Sequence, residues 1–265
     1  MRRAFAACPA PGIRPLFHAR RPTQGFDLCG DLLYGGVGPL PRPAGGGWLG
    51  VLVLAGSTGG ASGHGNADVA LSAWDWAKAQ GAHRLFYAST QAVYAPGSSD
   101  PDERAARRRD GYGGSKALAE DLLLRAAKGP TVCVLRLGNV AGADSLAAGL
   151  AAGRVVLDRF ADGAGPQRSY VGARDLAAGL IQLAQLDSQG RDIPSILNLA
   201  APGAVSMESL ARAAGASVAW RTAPDGARQR AVMDTRLAET MLDLRPSDPS
   251  RLVQDAGLVR AGKAA

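Results

Sequence analysis

The stretch YGGSK, residues 112–116, sets a tyrosine four residues ahead of a lysine. A tyrosine hydroxyl titrates near pH ~10 and is a poor base at neutral pH; a neighbouring ammonium favours the phenolate and brings proton transfer within reach. The chain has only four lysines, Lys78, Lys116, Lys128 and Lys263, so a lysine at this offset is not trivially expected. SKALAEDLLLRAAKG, residues 115–129, is rich in strong helix formers and predicts a helix closed by Gly129. Side chains four apart share one helix face, so Tyr112 and Lys116 can act together once that helix forms. The plainer reading is a tyrosine at a helix start and a solvated lysine, with Gly111, Gly113 and Gly114 marking a loose turn. Upstream, FYASTQAVYA supplies two further hydroxyls, Ser89 and Thr90, at the end of an apolar run.

These residues need a scaffold, and the pattern supplies one. Apolar segments predict strands at 13–19 (IRPLFHA), 26–32, 48–56, 83–90, 131–140 and 195–200. Helices are predicted at 67–81, 115–129, 174–186 and 206–215, with Ser206 as N-cap of the last. The strands are continuously apolar rather than alternating, as expected when helices cover both sheet faces. Strand–helix alternation of this kind predicts an α/β fold with a doubly wound, Rossmann-type parallel sheet. Residues 95–111 form a polar loop leading straight into Tyr112, and long loops at the carboxyl ends of parallel strands are where ligands bind.

Composition narrows the function classes. A chain of 265 residues with 46% hydrophobic and 20% charged residues is ordinary for a globular protein. The net charge of +7 suits a small anionic substrate, and the arginines are dispersed rather than arrayed as a nucleic-acid-binding face. Cys8, Cys29 and Cys133 stand at unrelated spacings, which gives neither a disulfide framework nor a metal site and favours a reducing cytoplasm. No apolar run approaches membrane-spanning length, and the N-terminus lacks the apolar stretch of a signal peptide.

FYASTQAVYA followed by Tyr112-x-x-x-Lys116 resembles the extended short-chain dehydrogenase/reductases, also called NAD-dependent epimerase/dehydratases, from about residue 13 to about residue 248. GDL at Gly30–Leu32 is similar to the family segment that contacts adenine, with Asp31 as the polar contact and Leu32 beside it. VLAG, ending in Ala55 and Gly56, resembles the strand end where backbone approaches the cofactor. Asn66 matches the asparagine of N-V-x-G-T, although Ala70 replaces its threonine. LRLGNVAG resembles the strand after the catalytic helix, which implies Leu137 by the nicotinamide and Asn139 near the substrate. GAGPQRSYVGARDLA is similar to G-x-G-x-x-R-x-Y-x-H-V-x-D-x-A; the resemblance gives Arg168 a phosphate and puts Gly172 where the family has histidine. Asp175 there reads as a helix cap.

The resemblance implies a nucleotide-binding core over 1–142 and a small C-terminal substrate lobe over most of 143–265, with 170–200 returning to the core. It further implies Tyr112 as acid/base, Lys116 as cofactor anchor and pKa modulator, and Thr90 as substrate orienter, with Ser89 able to share that task. The implied reaction begins by oxidising a sugar, above all a nucleotide sugar, with NAD or NADP, and the resemblance leaves room for a homodimer. His18, His64 and His83 read as structural or exposed, and Tyr94 as packing.

One family element is missing. The usual opening strand and G-x-x-G-x-x-G loop, which bring backbone N–H groups to the cofactor pyrophosphate, have no counterpart here. MRRAFAACPAPG reads as the end of the first helix, and GSTGGASGHG at 56–65 follows a later strand. With the first strand absent, two hydrogen-bonding edges are expected to face a gap in the sheet. The favoured explanation is a coding start upstream of Met1; the others are a shortened relative without cofactor binding, and direct pairing of the remaining strands. Arg20, where the second strand ends, suits the 2′-phosphate of NADP better than the free ribose of NAD. The rival functions are a catalytically silent ligand-binding or regulatory relative and, on charge alone, a nucleic-acid binder.

Overall fold

The computed structural model describes residues 1–40, 47, 49–56 and 65–258. Trp48, His64, Lys263 and nearly all of the glycine-rich stretch 56–65 lie outside the described residues. In chain order the first elements are α1 (Arg2–Ala6), β1 (His18–Ala19), β2 (Leu28–Cys29), β3 (Gly50–Val53), α2 (Asn66–Ala79), β4 (Arg84–Thr90), α3 (Gly111–Arg125), β5 (Thr131–Leu137) and β6 (Asn139–Val140). They are followed by α4 (Ala147–Ala152), β7 (Arg154–Arg159), β8 (Gln167–Val171), α5 (Ala173–Ser188), β9 (Ile196–Leu199), β10 (Ala204–Ser206), α6 (Met207–Ala213), β11 (Ser217–Thr222), β12 (Arg230–Ala231), α7 (Arg236–Glu239) and α8 (Pro249–Asp255).

The central sheet is parallel, in the order β3-β4-β5-β9. Successive side chains of a strand point to opposite faces, and both faces here are buried. Leu85, Tyr87, Val132 and Val134 pack with Ala73, Trp74 and Ala77 of α2 and Ala119 and Leu123 of α3. Phe86, Cys133, Leu135, Leu197 and Leu199 pack with Leu176, Leu180 and Leu183 of α5 on the other side. Continuous apolar strands between two helical layers make the fold doubly wound and Rossmann-type.

A separate parallel pair, β1 and β2, aligns His18 with Leu28. Phe5 of α1 joins the α5 side of the core, and Leu32 joins the α2 side. Among the described residues β1 pairs only with β2 and β3 only with β4, so the remaining strands do not close directly on one another. Both strands of the pair are shorter than the apolar runs that contain them.

A second, smaller core holds the C-terminal lobe. Leu150, Val155, Leu157, Tyr170, Val205, Leu210 and Leu252 form it, from α4, β7, β8, β10, α6 and α8. The segment 234–246 was expected with that lobe, yet Ala238 and Leu242 pack against the central sheet's α5 side. The strand expected over 131–140 divides at Gly138, whose backbone lies so close to Ser169 and Ala200 that a Cβ would sit 2.8 Å from the Ser169 carbonyl. Beyond that point the chain leaves β9 and pairs with β8 instead.

Candidate active site

Helix α3 begins at Gly111, four residues earlier than its sequence suggested, and so contains Tyr112. The glycines of YGGSK are helical, not a loose turn, and the reason is close packing. A Cβ on Gly113 would lie 2.0 Å from the Ala92 carbonyl, and one on Gly114 would lie 2.4 Å from the Arg109 backbone. The first turn of α3 is thereby seated on the 3-10 turn Gln91–Val93, which follows Thr90 at the end of β4. Tyr112 is half-buried, and burial raises its phenol above the usual tyrosine range.

Lys116 is not solvated; it is 4% exposed. Its Nζ donates to the Ala88 carbonyl at 3.0 Å, two residues before Thr90, and lies 4.7 Å from the centre of the Tyr87 ring. Burial lowers its pKa to about 8, against an opposing pull from the Glu120 carboxylate. Gly56, after β3, stands directly over this group: a Cβ there would meet Lys116 Nζ and Asn66 Oδ1, each at 2.8 Å. Asn66 in turn donates to Ser115 Oγ at 2.9 Å. Gly56, Asn66 and Lys116 thus converge where bare backbone is required.

The two hydroxyls of β4 have different surroundings. Thr90 Oγ1, at the carboxyl end of the strand and partly exposed, accepts from the Ala92 N–H at 3.1 Å. Ser89 is buried and donates to Glu120 Oε1. Leu137 is the ladder partner of Thr90, one strand over. Asn139 Oδ1 accepts from Gln91 Nε2 at 2.7 Å, and Tyr170 donates to Asp144 beside it.

Residues further from this cluster are held by backbone. Arg168 donates to the Gln167, Gln229 and Arg228 carbonyls at 2.7–3.0 Å. Burial lowers its pKa, and the charge of Arg228 adds to that. Asp31 accepts from the Leu33 N–H at 3.0 Å as a cap. Arg20 follows β1 and is exposed. The structure therefore brings Gly56, Asn66, Thr90, Tyr112 and Lys116 together around the end of β4, with Ala55 and Leu137 at neighbouring strand ends. It brings neither Arg168 nor Arg20 into hydrogen-bonding contact with them.

Sequence reasoning missed the buried network beneath the cluster. Glu120 is fully buried and receives Arg136 Nη2 at 2.8 Å, Arg107 Nη1 at 3.1 Å and the Ser89 hydroxyl. Arg136 also donates to the Tyr94 hydroxyl at 3.1 Å and the Glu103 carbonyl at 2.9 Å. Tyr94, expected as packing, is fully buried and hydrogen-bonded to Asn198 as well. An arginine inside the apolar run TVCVLRL was the available signal, because a charge on a doubly covered strand requires a partner.

Comparison with known proteins bears on this site. A family model described as NAD dependent epimerase/dehydratase family matches residues 57–200. No curated protein matches the sequence. Among solved structures, a UDP-glucose 4-epimerase from Brucella ovis in complex with NAD is 20% identical, with a TM-score of 0.64 over 78% of this chain and 76% of that one. A dTDP-glucose 4,6-dehydratase from Streptomyces venezuelae with NAD and TYD bound is 20% identical, with a TM-score of 0.61 over 78% and 72%. An RMD from Pseudomonas aeruginosa complexed with NADPH is 16% identical, with a TM-score of 0.59 over 78% and 80%.

Proposed function

The chain belongs to the NAD dependent epimerase/dehydratase family, and from that premise we propose that it oxidises a hydroxyl carbon of a nucleotide-activated sugar, using NADP or NAD. The observation that carries this reading is the buried Lys116, bonded to the end of β4 and facing the side-chain-free Gly56. A Cβ at Gly56 would fill that approach, so the residues fit a nicotinamide nucleotide there. Gly56, Ala55 and Asn66 would border it, Lys116 would hold its ribose, and Leu137 would lie by its ring. Asp31 and Leu32 would take the adenine end. When bound, the nicotinamide supplies hydride acceptance and donation.

The chain's own groups do the rest. Thr90 orients the substrate hydroxyl toward Tyr112 Oη, and Tyr112 takes the hydroxyl proton as the carbon is oxidised. Lys116 makes that possible by favouring the phenolate, against the burial that disfavours it. Asn139, fixed by Gln91, faces the sugar side of the same strand end. The Arg168–Arg228 pair suits the substrate's phosphates. Arg20, exposed directly after β1, supports NADP over NAD.

A second reading, ligand binding without turnover, is favoured by one observation. Among the described residues β1 and β2 form a sheet of their own and do not pair with β3. Titration with NADPH and NADH, followed by fluorescence, separates the two, as does turnover on UDP- and dTDP-hexoses. Under the enzyme reading Tyr112→Phe abolishes turnover and spares cofactor binding. Undiminished turnover in that variant would falsify the mechanism, and a folded chain that binds neither cofactor leaves the second reading in its place.

A further inference from the structure

Tyr87 is fully buried in the middle of β4, and among the described residues its hydroxyl has no hydrogen-bond partner. A buried phenol ordinarily finds one, and an orphaned hydroxyl costs free energy that a phenylalanine would avoid. What the residue does have is a cation against its ring: Lys116 Nζ lies 4.7 Å from the centroid. Leu85 fills the same sheet face two residues earlier without offering a ring to the cation.

Lys116 needs such a contact. Among the described residues its one hydrogen bond goes to the Ala88 carbonyl, while an ammonium has three donors. The charged groups that face it are few. From its own helix comes Glu120; from β4 comes Tyr87; Arg136 of β5 and Arg107 of the loop before α3 act through Glu120. The Glu120 carboxylate is shared between two guanidinium groups and the Ser89 hydroxyl, so much of its field is spent before it reaches the lysine. The Tyr87 ring is shared with nothing comparable. A desolvated cation over a ring face is among the stronger forms of this interaction.

We propose that Tyr87 is a positioning residue whose ring face holds the Lys116 ammonium at the end of β4. This rests on the reading of Lys116 as the group beside the acid/base, but the contact itself can be tested without cofactor or substrate. The chain has four lysines, so a chain carrying 13C at the lysine Cε gives a spectrum in which Lys116→Arg identifies one signal by its loss. That signal is titrated in chains carrying phenylalanine or pentafluorophenylalanine at position 87. The two rings have nearly the same shape, but fluorination reverses the charge of the ring face.

The phenylalanine chain should keep the wild-type midpoint, and the pentafluoro chain should titrate about one pH unit lower. Tyr87→Leu, where it folds, should move the midpoint in the same direction. Equal midpoints for the two rings would overturn the proposal, because a purely structural residue responds to shape and not to ring charge. If the contact holds and turnover is found, the acid limb of kcat/KM should shift to higher pH in the pentafluoro chain. A contact that holds in a chain without turnover leaves this inference standing and removes only the enzyme reading.

Discussion

Replacing Arg136 by methionine removes one partner from an ion pair in which the side chains are 1% and 0% exposed. Glu120 would remain, buried and charged, with Ser89 and a single guanidinium from Arg107. Breaking a buried pair in this way costs about 3–5 kcal/mol. The Tyr94 hydroxyl and the Glu103 carbonyl also lose a donor, at about 1 kcal/mol each. Arg107 is 28% exposed and can draw closer, which pulls the total toward about 4 kcal/mol rather than the sum. Removing both charges, as Arg136→Met with Glu120→Leu, eliminates the uncompensated carboxylate and should cost less than Arg136→Met alone. The coupling between the two sites then exceeds the cost of Glu120→Leu alone. Urea unfolding followed by tryptophan fluorescence and by circular dichroism measures all three variants, provided the two probes give coincident transitions. A loss below about 1 kcal/mol for Arg136→Met, or a double variant that equals the sum of the singles, would refute the reasoning.

Lys116 gives a pH-dependent counterpart. Its folded pKa of about 8 lies below the ordinary 10.5, so the unfolded chain binds more protons between those values and stability rises with pH across that window. Relative to Lys116→Met, the wild-type chain should gain about 3 kcal/mol between pH 8 and pH 10.5, and unchanged relative urea midpoints would contradict this. Gly56→Ala would press a methyl group against Lys116 Nζ and Asn66 Oδ1, so the dissociation constant for NADH or NADPH should rise about ten-fold by fluorescence titration. Thr90→Val should lower kcat/KM and cost about 1 kcal/mol as the Ala92 N–H loses its cap. Ser89→Ala should cost about 1 kcal/mol because Glu120 loses a donor, yet leave kcat/KM near wild type; equal kinetic losses for the two would mean that Ser89 also meets substrate.

What could be seen in the sequence was whatever depended on local pattern. The helix over 67–81 and the cap at Ser206 depend on periodicity and a single side chain, and α2 and α6 follow them closely, with Ser206 Oγ accepting from the Ser209 N–H at 3.0 Å. The strands of the central sheet were legible because burial on both faces removes polar residues from them. The start of α3 was not, because Gly113 and Gly114 are there to let other chain segments approach, and a glycine placed for tertiary packing looks the same in sequence as one placed for a turn. The lobe strands were missed for a related reason. β7 buries Val155 and Leu157 but exposes Val156, and its partner β11 lies more than fifty residues away, so nothing local marks the pair.

The same distinction explains why the site was half legible. Thr90, Tyr112 and Lys116 could be named as candidates from a family resemblance, yet the burial of Lys116 comes from a set of contacts across α3, β4 and β5 that no local pattern marks. Arg136 enters the apolar interior to compensate Glu120, and Glu120 binds the Ser89 hydroxyl. With Ser89 committed, Thr90 is the partly exposed hydroxyl at the strand end, the one the proposed reaction would use, and it lies two residues from the carbonyl that receives Lys116. The strand pleat sends the two adjacent hydroxyls to opposite faces, and the buried ion pair engages the inner one, Ser89. A methionine–leucine replacement could fill the same volume and preserve the fold, but it would release Ser89, and Ser89 would then compete for the Lys116 ammonium and the substrate. On this argument the double variant should keep its fold, at a cost below that of Arg136→Met alone, and lose kcat/KM; a folded double variant that retains kcat/KM would show that the pair serves the core alone.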